Sequence, residues 1–126
     1  MAYYKLQKNL EKQIKNELAQ EFMDFIEAHP YKNWNRTLIS CNKNITMDII
    51  EKYPDKYWDW DLISYNSHLI MDFIEAYPDK NWNWRGISSN PNLTMDIIDK
   101  YPDKNWDWRE ISCNPNLTID FIEAYP

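Results

Sequence analysis

The sequence predicts an all-α solenoid, and three observations carry that prediction. The first is a 24-residue period. Met23, Met47, Met71, Met95 and Ile119 stand 24 apart, as do Pro30, Pro54, Pro78, Pro102 and Pro126, and as do Trp34, Trp58, Trp82 and Trp106. A period of this size marks a stacked repeat array. The second is unit size: a repeat this short cannot bury a core alone and must stack on its neighbour. The third is pattern, since each unit reads as two short helices and none shows the alternation of a strand.

The unit from Asn90 to Cys113 shows the logic. Asn90-Pro91-Asn92 signals a turn. Thr94 is an N-cap candidate for a helix opening at Met95-Asp96, with Asp96 complementing the helix dipole. Leu93 and Ile98 flank that cap at hydrophobic-staple spacing. Pro102 stops the helix near Tyr101, because the residue before proline avoids the α region. A polar loop, Asp103-Lys104-Asn105, leads to a second helix of α or 3₁₀ form, about Trp108 to Cys113. Asp107 and Glu110 there form a capping-box pattern, with Trp106 and Ile111 at the staple positions.

A 48-residue superperiod overlies the unit. Phe25, Phe73 and Phe121 alternate with Ile49 and Ile97, and Ala28, Ala76 and Ala124 alternate with Lys52 and Lys100. Duplication of a two-unit block would produce it. Residues 1–22 form an N-terminal amphipathic capping helix, with Leu6, Leu10, Ile14, Leu18 and Phe22 at i,i+4 spacing. Lys8, Glu11, Lys12, Lys15 and Glu17 are expected to face outward. Residues 23–126 hold four full repeats and a partial fifth, whose outer face nothing polar caps.

Composition excludes several function classes. The net charge is −6, so the basic footprint of a nucleic-acid binder is missing, and anionic membranes repel the chain on average. No apolar run approaches the roughly 18 residues that cross a bilayer, and no signal-peptide core opens the chain. Mean hydropathy is −0.77, yet 16% of residues are aromatic, enough for a real core. Cys41 and Cys113 hold one column position three units apart, about 30 Å at one helix diameter per unit. A disulfide needs Cα atoms within about 7 Å. Free thiols, a reducing compartment and a cytoplasmic location follow as expectations.

Catalytic chemistry finds little foothold. His29 and His68 stand apart from any Ser, Cys or carboxylate constellation. There is no phosphate-binding loop and no Cys/His metal spacing. Asp55, Asp59 and Asp61 invite calcium, but a calcium loop needs a dense oxygen cage and a glycine bend. Asn replaces Asp59 in other copies, which suits helix capping better. The expectation is no catalytic, metal or cofactor site.

Trp34, Trp58, Trp82 and Trp106 read as a core ladder, together with Ile39, Ile63, Ile87 and Ile111. Trp60, Trp84 and Trp108 form a second column in which the first copy has Arg36, so partial exposure is expected there. Asn42, Asn66, Asn90 and Asn114 read as a ladder that bridges successive turns. In a repeat protein, positions that differ between copies are where a partner would touch. Thr37, Asp61, Arg85 and Arg109 form one such column, and Cys41, Tyr65, Ser89 and Cys113 another, four residues on. Positions i and i+4 share a helix face. The two columns therefore predict one continuous partner-binding stripe.

Asn90-Pro91-Asn92-Leu93-Thr94-Met95-Asp96-Ile97-Ile98 and its copy from Asn114 to Ile122 resemble the first half of the leucine-rich repeat variant family. That resemblance implies a right-handed superhelix of alternating α and 3₁₀ helices over residues 23–126. The second half departs from the family, having Trp-x-Trp-x-x-Ile-Ser, and the cysteine cluster of its iron–sulfur branch is absent. The full unit, with Asp-Lys-x-Trp-Asp-Trp, is also similar to tandem repeats of large DNA viruses of amoebae. That implies a viral protein acting in the host cytoplasm or virion.

The functional expectation is a non-enzymatic scaffold for an unknown protein partner. One alternative is a structural element that self-associates through its C-terminal repeat. A weaker one is carbohydrate binding on exposed tryptophans. Neither nucleic acid nor membrane is expected as a partner.

Overall fold

The computed structural model describes residues 1–125, and at Arg36 the backbone alone. Pro126 and the Arg36 side chain, which carry parts of the period and of the second tryptophan column, lie outside the described residues. The described residues are all-helical. The long α1 spans Ala2–Ala28. Short helices follow: α2 (Arg36–Ser40), α3 (Met47–Lys52), α4 (Trp60–Ile63), α5 (Met71–Ala76), α6 (Trp84–Ser88), α7 (Met95–Lys100), α8 (Trp108–Ile111) and α9 (Ile119–Ala124). Each repeat pairs an odd-numbered helix with the even-numbered one after it, and the repeats stack as a helical solenoid.

Local chemistry sets the helix ends. Asn35, Asp59, Asn83 and Asp107 cap the even helices, their side chains accepting backbone N–H groups at 3.0–3.4 Å. The reciprocal half of the Asp107–Glu110 capping box does not form. Ser88 of the preceding repeat takes the Asp107 N–H instead, at 2.9 Å. Thr46 and Thr118 cap α3 and α9. Thr94 makes no side-chain cap, contrary to expectation. Its own carbonyl accepts the Ile97 N–H at 3.2 Å, so a tight first turn satisfies that donor. Ile70, at the same column position, uses the same turn.

Two ladders join the repeats and a third ties the two helices within each. Buried Ser40, Ser64 and Ser88 accept the backbone N–H of Asp59, Asn83 and Asp107 at 2.8–2.9 Å. Asn66, Asn90 and Asn114 donate to the carbonyls of Ile45, Leu69 and Leu93 one repeat back, at 2.9–3.1 Å, as the sequence suggests. Their Oδ1 atoms accept the N–H two residues on, which shapes the turn. Trp34, Trp58, Trp82 and Trp106 donate their indole N–H to the carbonyls of His29, Tyr53, Tyr77 and Tyr101 at 2.8–2.9 Å. Those carbonyls lie just past a helix end, where the helix itself offers no donor.

The superperiod has a physical reading. Where the odd helix carries Lys, at Lys100, it reaches back to Glu75 of the preceding repeat. Where it carries Ala, the following Tyr reaches instead: Tyr77 donates to Glu51 and Tyr125 to Asp99. Phe73 and Phe121 stack on Trp60 and Trp108. Beside Ile97 the Trp84 ring meets Tyr101 but no phenylalanine, whereas Trp108 meets both Phe121 and Tyr125.

Helix α1 departs from the expected cap. Its polar and small residues face the repeats: Asn16 bonds Asp48 and Thr46, Gln20 bonds Tyr53, and Ala19 and Met23 are buried. Lys12, expected to face outward, pairs with Asp48. The apolar stripe of Leu6, Leu10, Ile14 and Leu18 is exposed. The Gln20–Tyr53 contact spans 33 positions where Tyr77–Glu51 spans 26. The side-chain contacts of α1 on α3 are therefore shifted in register by seven residues. Glu27 overshoots α3 and pairs with Lys56 at 3.2 Å. A cavity of about 400 Å³ opens there among Met23, Ile26, Trp34, Ile39 and Trp58.

Candidate functional site: the variable stripe on the short helices

Each even helix interleaves fixed and variable positions. Ile63, Ile87 and Ile111 are buried, and Ile39, beside the cavity, is half-buried. The eight variable residues, Thr37, Cys41, Asp61, Tyr65, Arg85, Ser89, Arg109 and Cys113, are all exposed. Thr37, Asp61, Arg85 and Arg109 lie on the even helices, and Cys41, Tyr65, Ser89 and Cys113 lie one or two residues past their ends. The structure brings Tyr65, Arg85 and Ser89 together around one shallow groove, and Arg85 and Arg109 around another.

The tryptophans behave differently. Trp82 and Trp106 are buried, and Trp34 and Trp58 are half-buried at the looser first interface. In the second column Trp60 and Trp84 are half-buried and Trp108 is exposed. Trp60 packs edge-on against Trp82 and Trp84 against Trp106, at centroid distances of 5.3 and 5.1 Å. Lys80 and Lys104 cover their outer faces at 4.9 and 5.2 Å, which is cation–π range.

The stripe has its own connections. Asn83, capping α6, donates to Asp61 at 2.6 Å and to the Tyr65 hydroxyl at 3.4 Å in the repeat before it. Arg85 pairs with Asp107, the cap of α8, at 3.5 Å. Asn83 and Asp107 therefore each anchor a variable side chain of the preceding repeat. Between Tyr65, Arg85, Ser89 and Glu110 lies a shallow groove of about 410 Å³. Asp61 is anionic, Arg85 and Arg109 cationic, and Tyr65 presents a large exposed ring.

One stripe residue escaped the sequence reading. Gly86, the only glycine in the chain, lies under the Tyr65 ring. A Cβ there would meet Tyr65 ring carbons at 2.9–3.1 Å. Leu38, Leu62, Gly86 and Glu110 form a third variable column, a signal the sequence contained.

The other polar candidates have structural partners. A ring nitrogen of His29 bonds the Phe25 carbonyl at 2.8 Å, and one of His68 bonds the Lys43 carbonyl at 2.9 Å. The His68 contact repeats the role of Asn116, which bonds the Pro91 carbonyl at the same 25-residue separation. Asp59 caps α4. Both cysteines are free and exposed, and Cys41 Sγ donates to the Leu38 carbonyl. Among the described residues no His, Cys, Asp and Glu group could hold a metal ion, and no helix is long and apolar enough to cross a membrane. No family model, curated protein or solved structure matches the chain.

Proposed function

We propose that this chain is a non-enzymatic scaffold that binds a protein partner along the exposed face of α2, α4, α6 and α8. The observation that carries the reading is the division of labour within one short helix. Ile63, Ile87 and Ile111 with Ser40, Ser64 and Ser88, which recur, are buried, and the two variable columns of the stripe face solvent. Tyr and Arg are the residue types that most often anchor protein interfaces, and Tyr65, Arg85 and Arg109 supply both. Mixed charge along the stripe favours a partner surface of mixed charge over a polyanion. An intracellular setting suits the two free thiols.

The test replaces Asp61, Tyr65, Arg85 and Arg109 together with alanine and compares capture of native-source proteins by quantitative mass spectrometry. These side chains are exposed, so circular dichroism is expected to be unchanged. Proteins bound specifically by the wild type should fall to background with the variant. Equal recovery by both proteins would contradict the reading.

A second reading is end-to-end association through α9. Ile119, Ile122 and Trp108 are exposed there, while Ile50, Ile74 and Ile98, the counterparts of Ile122, are buried by a following repeat. Carbohydrate binding has weaker support, because the tryptophans pack mainly on one another and on the core.

A further inference from the structure

The cavity at the first interface exposes apolar side chains that the rest of the array hides. Ile26, Trp34, Ile39 and Trp58 line it and are half-buried. Their counterparts at later interfaces, such as Ile74, Ile87, Trp82 and Trp106, are buried. The cause is a mismatch between the two sides of one interface. Ser40 accepts the Asp59 N–H as Ser64 and Ser88 accept theirs, so α2 stacks on α4 in the regular way. The contacts of α1 on α3 are shifted by seven residues. That register brings Ala19, buried, to the place that isoleucine takes in later repeats.

The walls and the mouth of the cavity differ in chemistry. On the wall, Trp58 meets no other aromatic ring among the described residues. Its counterparts Trp82 and Trp106 each have an indole packed edge-on, at 5.3 and 5.1 Å. The column that supplies those indoles, Trp60 and Trp84, holds Arg36 in the first repeat. A half-exposed indole on an apolar wall favours a flat aromatic ring against it. The mouth carries Glu27, Lys32, Asn33 and Lys56. Lys56 holds Glu27 at 3.2 Å. Lys32 has no acidic partner among the described residues, and its ammonium lies 5.8 Å from the centre of the Tyr31 ring. Lys32 and Lys56 against Glu27 leave one positive charge over, which matches a single carboxylate.

We propose that this cavity binds a small planar aromatic carboxylic acid, its ring against Trp58 and its carboxylate at Lys32 and Asn33. A cavity of about 400 Å³ is in the size range of small-molecule sites. The bound ring covers the half-exposed isoleucines and indoles, so the ligand completes the first interface and stabilises the array. Asp61, Tyr65, Arg85 and Arg109 do not line the cavity, so the site is separate from the protein-binding stripe.

Isothermal titration calorimetry of the full chain with indole-3-acetate tests the proposal. For a ligand this small a dissociation constant on the order of 100 µM is expected. Indole, which lacks the acid, and tryptamine, which carries an amine instead, should each bind at least about tenfold more weakly. Lys32→Glu should remove that preference and leave the ligand-free thermal midpoint unchanged, because Lys32 is exposed. Ile39→Phe should fill the cavity and abolish binding. If that variant does not fold, Lys32→Glu decides alone. The quadruple alanine variant of the stripe should bind as the wild type does. In proton–nitrogen NMR spectra the indole N–H signals of Trp34 and Trp58 should shift on saturation. Four outcomes overturn the proposal: no binding at about 1 mM ligand, tryptamine binding as tightly as indole-3-acetate, Lys32→Glu or a folded Ile39→Phe binding as the wild type does, or indole shifts confined to Trp108.

Discussion

Ser64 shows how much of this molecule rests on single polar atoms. Its buried hydroxyl accepts the Asn83 N–H from the next repeat and donates to the Trp60 carbonyl in its own. Ser64→Ala leaves a buried N–H unsatisfied and should cost about 1–3 kcal/mol, read from urea denaturation. Replacing exposed Ser89 should cost far less. The serine ladder was not legible in the sequence. A serine after an isoleucine looks like any short-helix polar residue, and its role appears only when the next repeat is stacked on it. The asparagine ladder was legible, because Asn-Pro-Asn announces a turn whose side chains seek backbone partners. At Gly86, alanine favours the helix by about 1 kcal/mol but needs the space under Tyr65. Gly86→Ala should therefore leave stability near or above wild type and displace the tyrosine ring. The ring's near-ultraviolet dichroism should change, and partner affinity should fall with it.

The short helices are too small to persist alone, so their ends and their contacts between repeats decide their stability. Helix α5 starts at Ile70 without a side-chain cap. Ile70 is exposed, and Asn is among the best caps. Ile70→Asn should stabilise the chain by about 0.5–1 kcal/mol, seen as a higher thermal midpoint. The contacts between odd helices predict a pH response. Partial burial and then the bond to Glu51 raise the Tyr77 phenol above its ordinary value, and at Tyr125 the bond to Asp99 leads. The bond to Glu75 raises Lys100 likewise. A group raised in the folded state stabilises fully below its unfolded value and loses that contribution as pH climbs through the folded one. The thermal midpoint should therefore fall above about pH 10, and Tyr77→Phe/Tyr125→Phe should blunt the fall. Helix starts and the ends of the odd helices were readable from the caps and prolines, whereas α8 stops at Ile111, short of the expected Cys113. The register shift of α1 was not readable, because residues 1–22 lie outside the period and nothing in the repeat fixes their register.

At the scale of the whole molecule, one period sorts residues into core, ladder and stripe columns. Fold class and stripe exposure were legible because, at the isoleucine and stripe columns, recurrence and variation in sequence map onto inside and outside. The open first interface was not, since it follows from the register of α1 rather than from the repeat. The outward turn of the leucine stripe was hidden for a related reason: amphipathicity says that a face is apolar, not which neighbour covers it. Stability in such an array comes from contacts between neighbouring repeats, and the serine ladder is their most specific element. Amide hydrogen exchange under native conditions reads it directly. The N–H groups of Asp59, Asn83 and Asp107 precede their helices and bond only to serine hydroxyls one repeat back. If the repeats stack as described, these three amides should be protected to within about tenfold of the helical amides of Ile63 and Ile87. Exchange at the rate of an unstructured peptide at all three would contradict the stacked solenoid.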